Sequence, residues 1–307
     1  MKEQNYSKGI FWAAFASTMW GISGTILQYI SQTQNIPATW FLSVRTLGAG
    51  LVLLLIGFFQ EGRHIFDIFK SWRQIGWLVA YALFGLMANL FTFYMSIKTG
   101  NAAAATILQY LSPLFIVLGA LLFKRERPLR SDMIAFAIAL VGVFLAITRG
   151  NIHTLSVPVA SLLWGILAGV TAACYVVLPR QIVTVHSPIV VLGWGMLISG
   201  VLFNLWRPIW VNPPKITVGL ILSISTVILV GTILAFSTLL YSLNFAPSAV
   251  ISIVDAVQPV VTFILSIIFF HLQISTMEVL GSILVVVAVY LLQRWRGQAE
   301  SQIDRSN

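Results

Sequence analysis

Charge is what this chain lacks. Only 9% of its 307 residues are Asp, Glu, Lys or Arg, while 58% are hydrophobic. A soluble domain is about 25% charged, so this chain cannot cover a water-facing surface and reads as a polytopic membrane protein. Cysteine is nearly missing too. Cys174 stands alone, which excludes an internal disulfide framework and a cysteine-based zinc site. The largest polar stretch is residues 60–74, so no soluble domain is expected. No HExxH zinc helix, GxSxG elbow or GKS/T phosphate loop occurs, and a metalloprotease, an α/β-hydrolase or a P-loop ATPase needs those spacings. His64, His153, His186 and His271 fall in loops or at helix ends. A two-aspartate membrane protease needs a second buried acid, and only Asp255 lies well inside an apolar run. Charge rings and filter motifs of channels are not evident. The reading is of a protein without catalytic machinery, metal or organic cofactor.

What the chain has is ten apolar runs, each about long enough to cross a bilayer. They cover roughly 9–30, 38–59, 75–97, 102–123, 131–148, 160–178, 189–206, 218–241, 248–270 and 276–293. Ten spans put both termini on one side. With the N-terminus inside, thirteen Lys and Arg lie inside (among them Lys8, Arg63, Lys70, Lys124, Arg125, Arg130 and Arg180). Four lie outside: Lys98, Arg149, Arg207 and Lys215. That bias places both termini in the cytoplasm. It also accounts for the net charge of +9 without a nucleic-acid partner. The tail after Arg294 is expected to be disordered.

The chain repeats itself at an offset of 146. Gly85 meets Gly231, Gln109 meets Asp255, Pro113 meets Pro259, and Asp132 meets Glu278. Thr106 meets Ser252 and Ser96 meets Ser242. Each half, 1–150 and 151–293, holds five spans, and residues 294–307 form a cytoplasmic tail. An odd number of spans inverts the second half relative to the first. The fold class expected is an all-α integral membrane protein of ten transmembrane helices in two inverted five-helix repeats, the usual plan of secondary transporters.

Trp20-Gly21 in the first run, Arg45 in the second, the breaks Leu111-Ser112-Pro113 and Val257-Gln258-Pro259, and Glu126 after the fourth run carry a family likeness. With the ten-helix repeat, the chain resembles the drug/metabolite transporter superfamily and its EamA-type exporters over residues 9–293. Leu272 stands where the first half has Glu126, a departure at a loop. The resemblance implies a bacterial plasma-membrane exporter of amino acids, other small metabolites or drugs. Members differ in substrate and proton coupling, so both stay open, as does a homodimer.

The candidate site follows from proline chemistry. A mid-helix proline cannot donate to the carbonyl four residues earlier, so Pro113 and Pro259 are expected to free the carbonyls of Gln109 and Asp255. Each break thus holds a polar side chain and an open acceptor at one level, which suits only protein or a water-filled cavity. By helix rise, Asp255 lies roughly 10 Å from the inner side and Gln109 roughly 10 Å from the outer. An aspartate at that depth costs about 3 kcal/mol to insert. Asp255 can carry a proton, anchor a substrate ammonium, or pair structurally with Arg45. Substrate-binding or coupling residues are expected among Asp255, Gln109, Thr106, Ser252, Trp20, Tyr175, Asn89 and Tyr241. Polar stripes make spans 1, 3, 4, 6, 8 and 9 line the pathway, with 2, 5, 7 and 10 facing lipid. Gly165 and Gly169 read as helix packing. The partners expected are a small-molecule substrate, the lipid bilayer and, where coupling exists, protons. The reading is a secondary transporter exporting amino acids or related amines, against a lipid or lipid-linked sugar flippase on the same fold.

Overall fold

A computed structural model describes residues 6–125, 129–149, 151, 155–246, 251, 254–273 and 275–306. Ser252 and Glu126 lie outside the described residues. The helices are α1 (Tyr6–Gln28), α2 (Ala38–Glu61), α3 (Trp72–Thr99), α4 (Ala102–Gln109, then Ser112–Lys124) and α5 (Arg130–Thr148). The second half supplies α6 (Val159–Val177), α7 (Pro188–Trp206), α8 (Val218–Ser242), α9 (Val257–Phe270) and α10 (Thr276–Ser306). Among the described residues, nine helices are long and apolar enough to cross a membrane, and Val257–Phe270 is a shorter apolar one. This is an all-α membrane protein. Large apolar side chains ring its outside, Phe59, Trp72 and Phe123 among them, each more than 80% exposed.

Helix contacts obey an exchange of the first five helices with the second five. α1 packs on α8 and α9, as α6 packs on α3 and α4; α2 packs on α7, and α5 on α10. Small residues set the self-paired contacts. A Cβ on Gly50 in α2 would stand 2.6 Å from the Leu197 nitrogen in α7. Gly142 in α5 and Gly281 in α10 bring those two backbones together in the same way. Without a hydrophobic drive between helices in lipid, such close approach is what holds a bundle.

The repeat also appears in local geometry. α4 ends at Arg125 with φ 57° and α9 ends at His271 with φ 49°, two left-handed caps 146 positions apart. The Asp132 carboxylate accepts from the Leu129 backbone N–H at 2.9 Å. The Glu278 carboxylate accepts from Ser275 N–H at 2.7 Å. So the paired acids of the repeat close the first turns of α5 and α10. Glu278 uses its other oxygen on Arg149 Nε at 3.1 Å, tying the end of α5 to the start of α10. A third pair was not expected. π-helical turns interrupt α3 at Tyr81–Met87 and α8 at Leu229–Leu234, around Gly85 and Gly231.

Two expectations need correction. The chain beyond Arg294 is not irregular, since α10 runs on to Ser306. The Asp255 carbonyl is not open either: it accepts from Gln258 N–H at 3.0 Å. A tight i→i+3 turn at the break supplies the donor that Pro259 cannot.

Candidate functional site

Three clusters of polar and aromatic side chains meet inside the bundle. In the first, Ser17 in α1 donates its hydroxyl to Asp255 Oδ1 at 2.9 Å. Asp255 precedes α9 at the break and lies within electrostatic reach of Tyr110 at the break in α4. Gly21, one turn along α1, allows this approach, because a Cβ there would stand 3.1 Å from the Gln258 carbonyl oxygen.

The second cluster centres on Asn89 in α3. Gln109 Nε2 donates to Asn89 Oδ1 at 3.2 Å. Asn89 Nδ2 donates to the Ala168 carbonyl at 3.0 Å and reaches Thr171 Oγ1 at 3.3 Å. The Thr92 and Thr171 hydroxyls lie 3.1 Å apart. The network therefore joins α3, α4 and α6. Beside it, Ser96 and Ser161 exchange hydroxyl-to-carbonyl bonds at 3.0 and 2.9 Å. Gly165 and Gly169 sit against Leu108, as helix-packing glycines do.

The third cluster is aromatic. Phe236 in α8 stands edge-on to Trp20 in α1, with centroids 5.2 Å apart. It also stands edge-on to Tyr175 in α6 at 6.3 Å. Tyr175 in turn lies 5.8 Å from Tyr81 in α3. Tyr81, Tyr175 and Phe236 line a cavity of about 210 Å³, with Leu53, Leu192 and Ser237. A second cavity, of about 30 Å³ near Asn101 and Glu278, is too small for an organic substrate.

Covalent neighbours connect the clusters. Ser17 and Trp20 lie one turn apart on α1, Thr171 and Tyr175 one turn apart on α6, and Gln109 and Tyr110 are adjacent in α4. A chain of polar and aromatic groups thus runs through α1, α3, α4, α6, α8 and the break before α9, on the spans expected to line the pathway.

Not every expected residue joins this chain. Thr106 donates to the Ala102 carbonyl of its own helix at 2.7 Å and is 2% exposed. Tyr241 sits apart, packed on Trp12 and Phe245 at the basic end of the bundle. The Lys8 ammonium lies 4.4 Å over the Phe245 ring there. Arg45 does not pair with Asp255. It lies near Tyr175, and its buried Nε has no hydrogen-bond partner among the described residues.

Sequence reasoning missed Ser17, Tyr110, Tyr81 and Phe236. Ser17 lies one turn before Trp20 on α1, so its helical spacing from Trp20 is the signal that could have found it. Phe236 adjoins Ser237 on a polar stripe, but its apolar side chain gives no signal of its own.

Similar proteins agree with this architecture. The EamA-like transporter family model matches residues 7–148 and again 159–294. A protein of Salmonella typhimurium named an uncharacterized inner membrane transporter, YicL, is 30% identical over 285 residues, covering 93% of this chain and 95% of its own. The Bacillus subtilis uncharacterized transporter YwfM is 24% identical over 95% of each chain. A crystal structure with 18% sequence identity superposes with a TM-score of 0.59, over 95% of this chain and 96% of that one, which shows a shared fold.

Proposed function

Because this chain belongs to the EamA-like transporter family, we propose that it is a secondary active transporter that exports small organic metabolites, amino acids or related amines, by alternating access. Families and relatives named as transporters point to transport rather than catalysis. The observation that carries the reading is the bond from Ser17 to Asp255. It places an ionisable group at a helix break, where two helices from opposite repeats meet. An acid inside a membrane bundle is a site for a proton or a cationic group. Broken helices at equivalent positions of two repeats are where transporters bind substrate.

In this reading the repeats, residues 1–150 and 151–293, rock about the breaks at Pro113 and Pro259. The basic end of the bundle faces the cytoplasm of a bacterial plasma membrane, with both termini inside, as the charge distribution supports. Asp255 exchanges its bond to Ser17 for a proton or a substrate ammonium. The Asn89–Gln109–Thr171 network offers the donors and acceptors that orient polar substrate atoms. The aromatic cluster of Trp20, Phe236 and Tyr175 covers an apolar substrate body.

The test is uptake of labelled amino acids and amines into proteoliposomes, with and without an imposed pH gradient, for wild type and Asp255→Asn. Gradient-driven accumulation that is lost in Asp255→Asn, with exchange retained, is the expected result. Accumulation untouched by the substitution removes Asp255 from the mechanism. Absence of transport for the whole panel removes this substrate class.

A further inference from the structure

Between α2 and α3 the chain forms a 3₁₀ helix of nine residues, Gly62–Lys70. Such helices rarely run past about four residues. Gly62 turns the chain out of α2 with φ 60°, a conformation that glycine adopts without strain. At three residues per turn, side chains three apart eclipse and form straight rows. The rows here differ in kind. Ile65 and Ile68 form one, and both are buried. Ile65 folds back on α2, 3.6 Å from where a Cβ on Gly57 would stand. Its carbonyl accepts from Trp194 Nε1 of α7 at 2.8 Å. Phe66 and Phe69 form the second row. Each touches the Trp194 ring with one side, and they remain 50% and 39% exposed. Trp72, three residues on at the start of α3, is 88% exposed. His64, Asp67 and Lys70 form the third row. Asp67 Oδ2 lies 3.0 Å from His64 Nδ1, and its Oδ1 lies 2.7 Å from Lys70 Nζ. One row thus faces protein, one offers aromatic rings outward, and one is ionic.

We propose that Gly62–Lys70 is an in-plane anchor that holds anionic phospholipid, with Phe66, Phe69 and Trp72 at the acyl boundary and Arg63 and Arg73 on the lipid phosphates. The inference stands apart from the transported substrate. Apolar, aromatic and basic faces on one short helix at the end of a membrane bundle suit the interface plane. Charge selects the lipid. Over residues 61–73, Arg63, Lys70 and Arg73 stand against Glu61 and Asp67. Asp67 is held by Lys70 and His64. Arg63 and Arg73 are exposed, and among the described residues neither forms a salt bridge. The exposed Arg180 opens a short helix packed on the start of α3 and adds a cation there. A guanidinium fork fits phosphate oxygens. A zwitterionic headgroup brings an ammonium that these arginines repel, whereas phosphatidylglycerol brings only the anion. A soluble phosphate leaves the aromatic row uncovered.

The experiment titrates the purified full chain in detergent with phosphatidylglycerol or phosphatidylcholine of the same acyl chains, read by native mass spectrometry. Phosphatidylglycerol should bind at least tenfold more tightly. The Arg63→Gln/Arg73→Gln pair should weaken it at least tenfold, since each arginine near an anionic headgroup is worth about fivefold. The control pair Arg207→Gln/Lys215→Gln removes the same charge from the opposite end and should stay within twofold of wild type. If the test pair does not fold, Arg63→Gln and Arg73→Gln singly carry the comparison, each weakening phosphatidylglycerol about fivefold. A second readout tests the rows. Spin labels at Phe66→Cys and His64→Cys, each with Cys174→Ala, are placed in phosphatidylglycerol vesicles. The label at 66 should be reached by oxygen and the label at 64 by a water-soluble nickel complex. Equal binding of the two lipids overturns the anchor. So does a folded test pair within twofold of wild type, or a control pair that loses as much. Displacement of the lipid by millimolar glycerol phosphate overturns the lipid as occupant, and equal water access at 64 and 66 overturns the in-plane placement.

Discussion

Ser17 and Asp255, 238 positions apart in the chain, are joined side chain to side chain at 2.9 Å. Ser17 is fully buried, so the bond forms where water does not compete for it. This one contact ties the first helix of one repeat to the broken helix of the other.

Removing the donor should be felt through the acid. Ser17→Ala is expected to lower unfolding stability in detergent by about 1 kcal/mol, the usual net value of a hydrogen bond. In the Asp255→Asn background the same substitution should change stability and transport far less. A double-mutant cycle measures that coupling. Equal effects of Ser17→Ala in both backgrounds would show that the bond does not matter.

The Asn89 network and Thr106 offer a contrast within one helix layer. Asn89→Ala strands Gln109 Nε2 and removes the bond to Ala168. It should cost about 1–3 kcal/mol and reduce transport at least tenfold. Thr106→Val loses only a bond to its own helix and should leave transport within twofold. Initial-rate transport of the two variants decides between them, and a Thr106→Val protein as impaired as Asn89→Ala would return Thr106 to the site.

Glycines should sort by what faces them. Gly50→Ala and Gly281→Ala each drive a Cβ into the backbone of the paired helix, and each should destabilise the bundle by about 1–3 kcal/mol. Gly76 and Gly119 have nothing within 4 Å of an added Cβ. Alanine at either should stabilise by about 0.5–1 kcal/mol through helix propensity. Thermal unfolding midpoints in detergent check the order.

The acids of the two caps should prove structural. Asp132→Ala and Glu278→Ala each remove an acceptor for an N-terminal N–H and are expected to cost about 1 kcal/mol each. Glu278→Ala also breaks the ion pair with Arg149, which keeps its bond to the Gln273 carbonyl. Arg149 is partly exposed, so that pair adds at most about 1 kcal/mol. The KM of any transported substrate should not move, and a several-fold rise would place these acids in the pathway.

The sequence by itself determined the spans, the duplication and the helix breaks. Each depends on local chemistry: apolar length, a repeated register, and a proline that cannot donate. Asp132 and Glu278 were legible as a pair for the same reason, and their offset matched the caps they form. The partners were not legible. Hydropathy records that a segment prefers lipid or protein to water, but not which helix lies beside it at a given depth. Only the tertiary structure showed that Ser17 meets Asp255, that Phe236 joins Trp20 to Tyr175, and that Arg45 forms no salt bridge among the described residues. The π-helical turns at Tyr81–Met87 and Leu229–Leu234 were hidden for the same reason. They surround glycines where α6 and α1 come close: a Cβ on Gly85 would meet the Tyr175 backbone, and one on Gly231 would meet Ser23. A helix's own sequence gives its path through the membrane, whereas its polar contacts depend on the neighbours that packing brings to it.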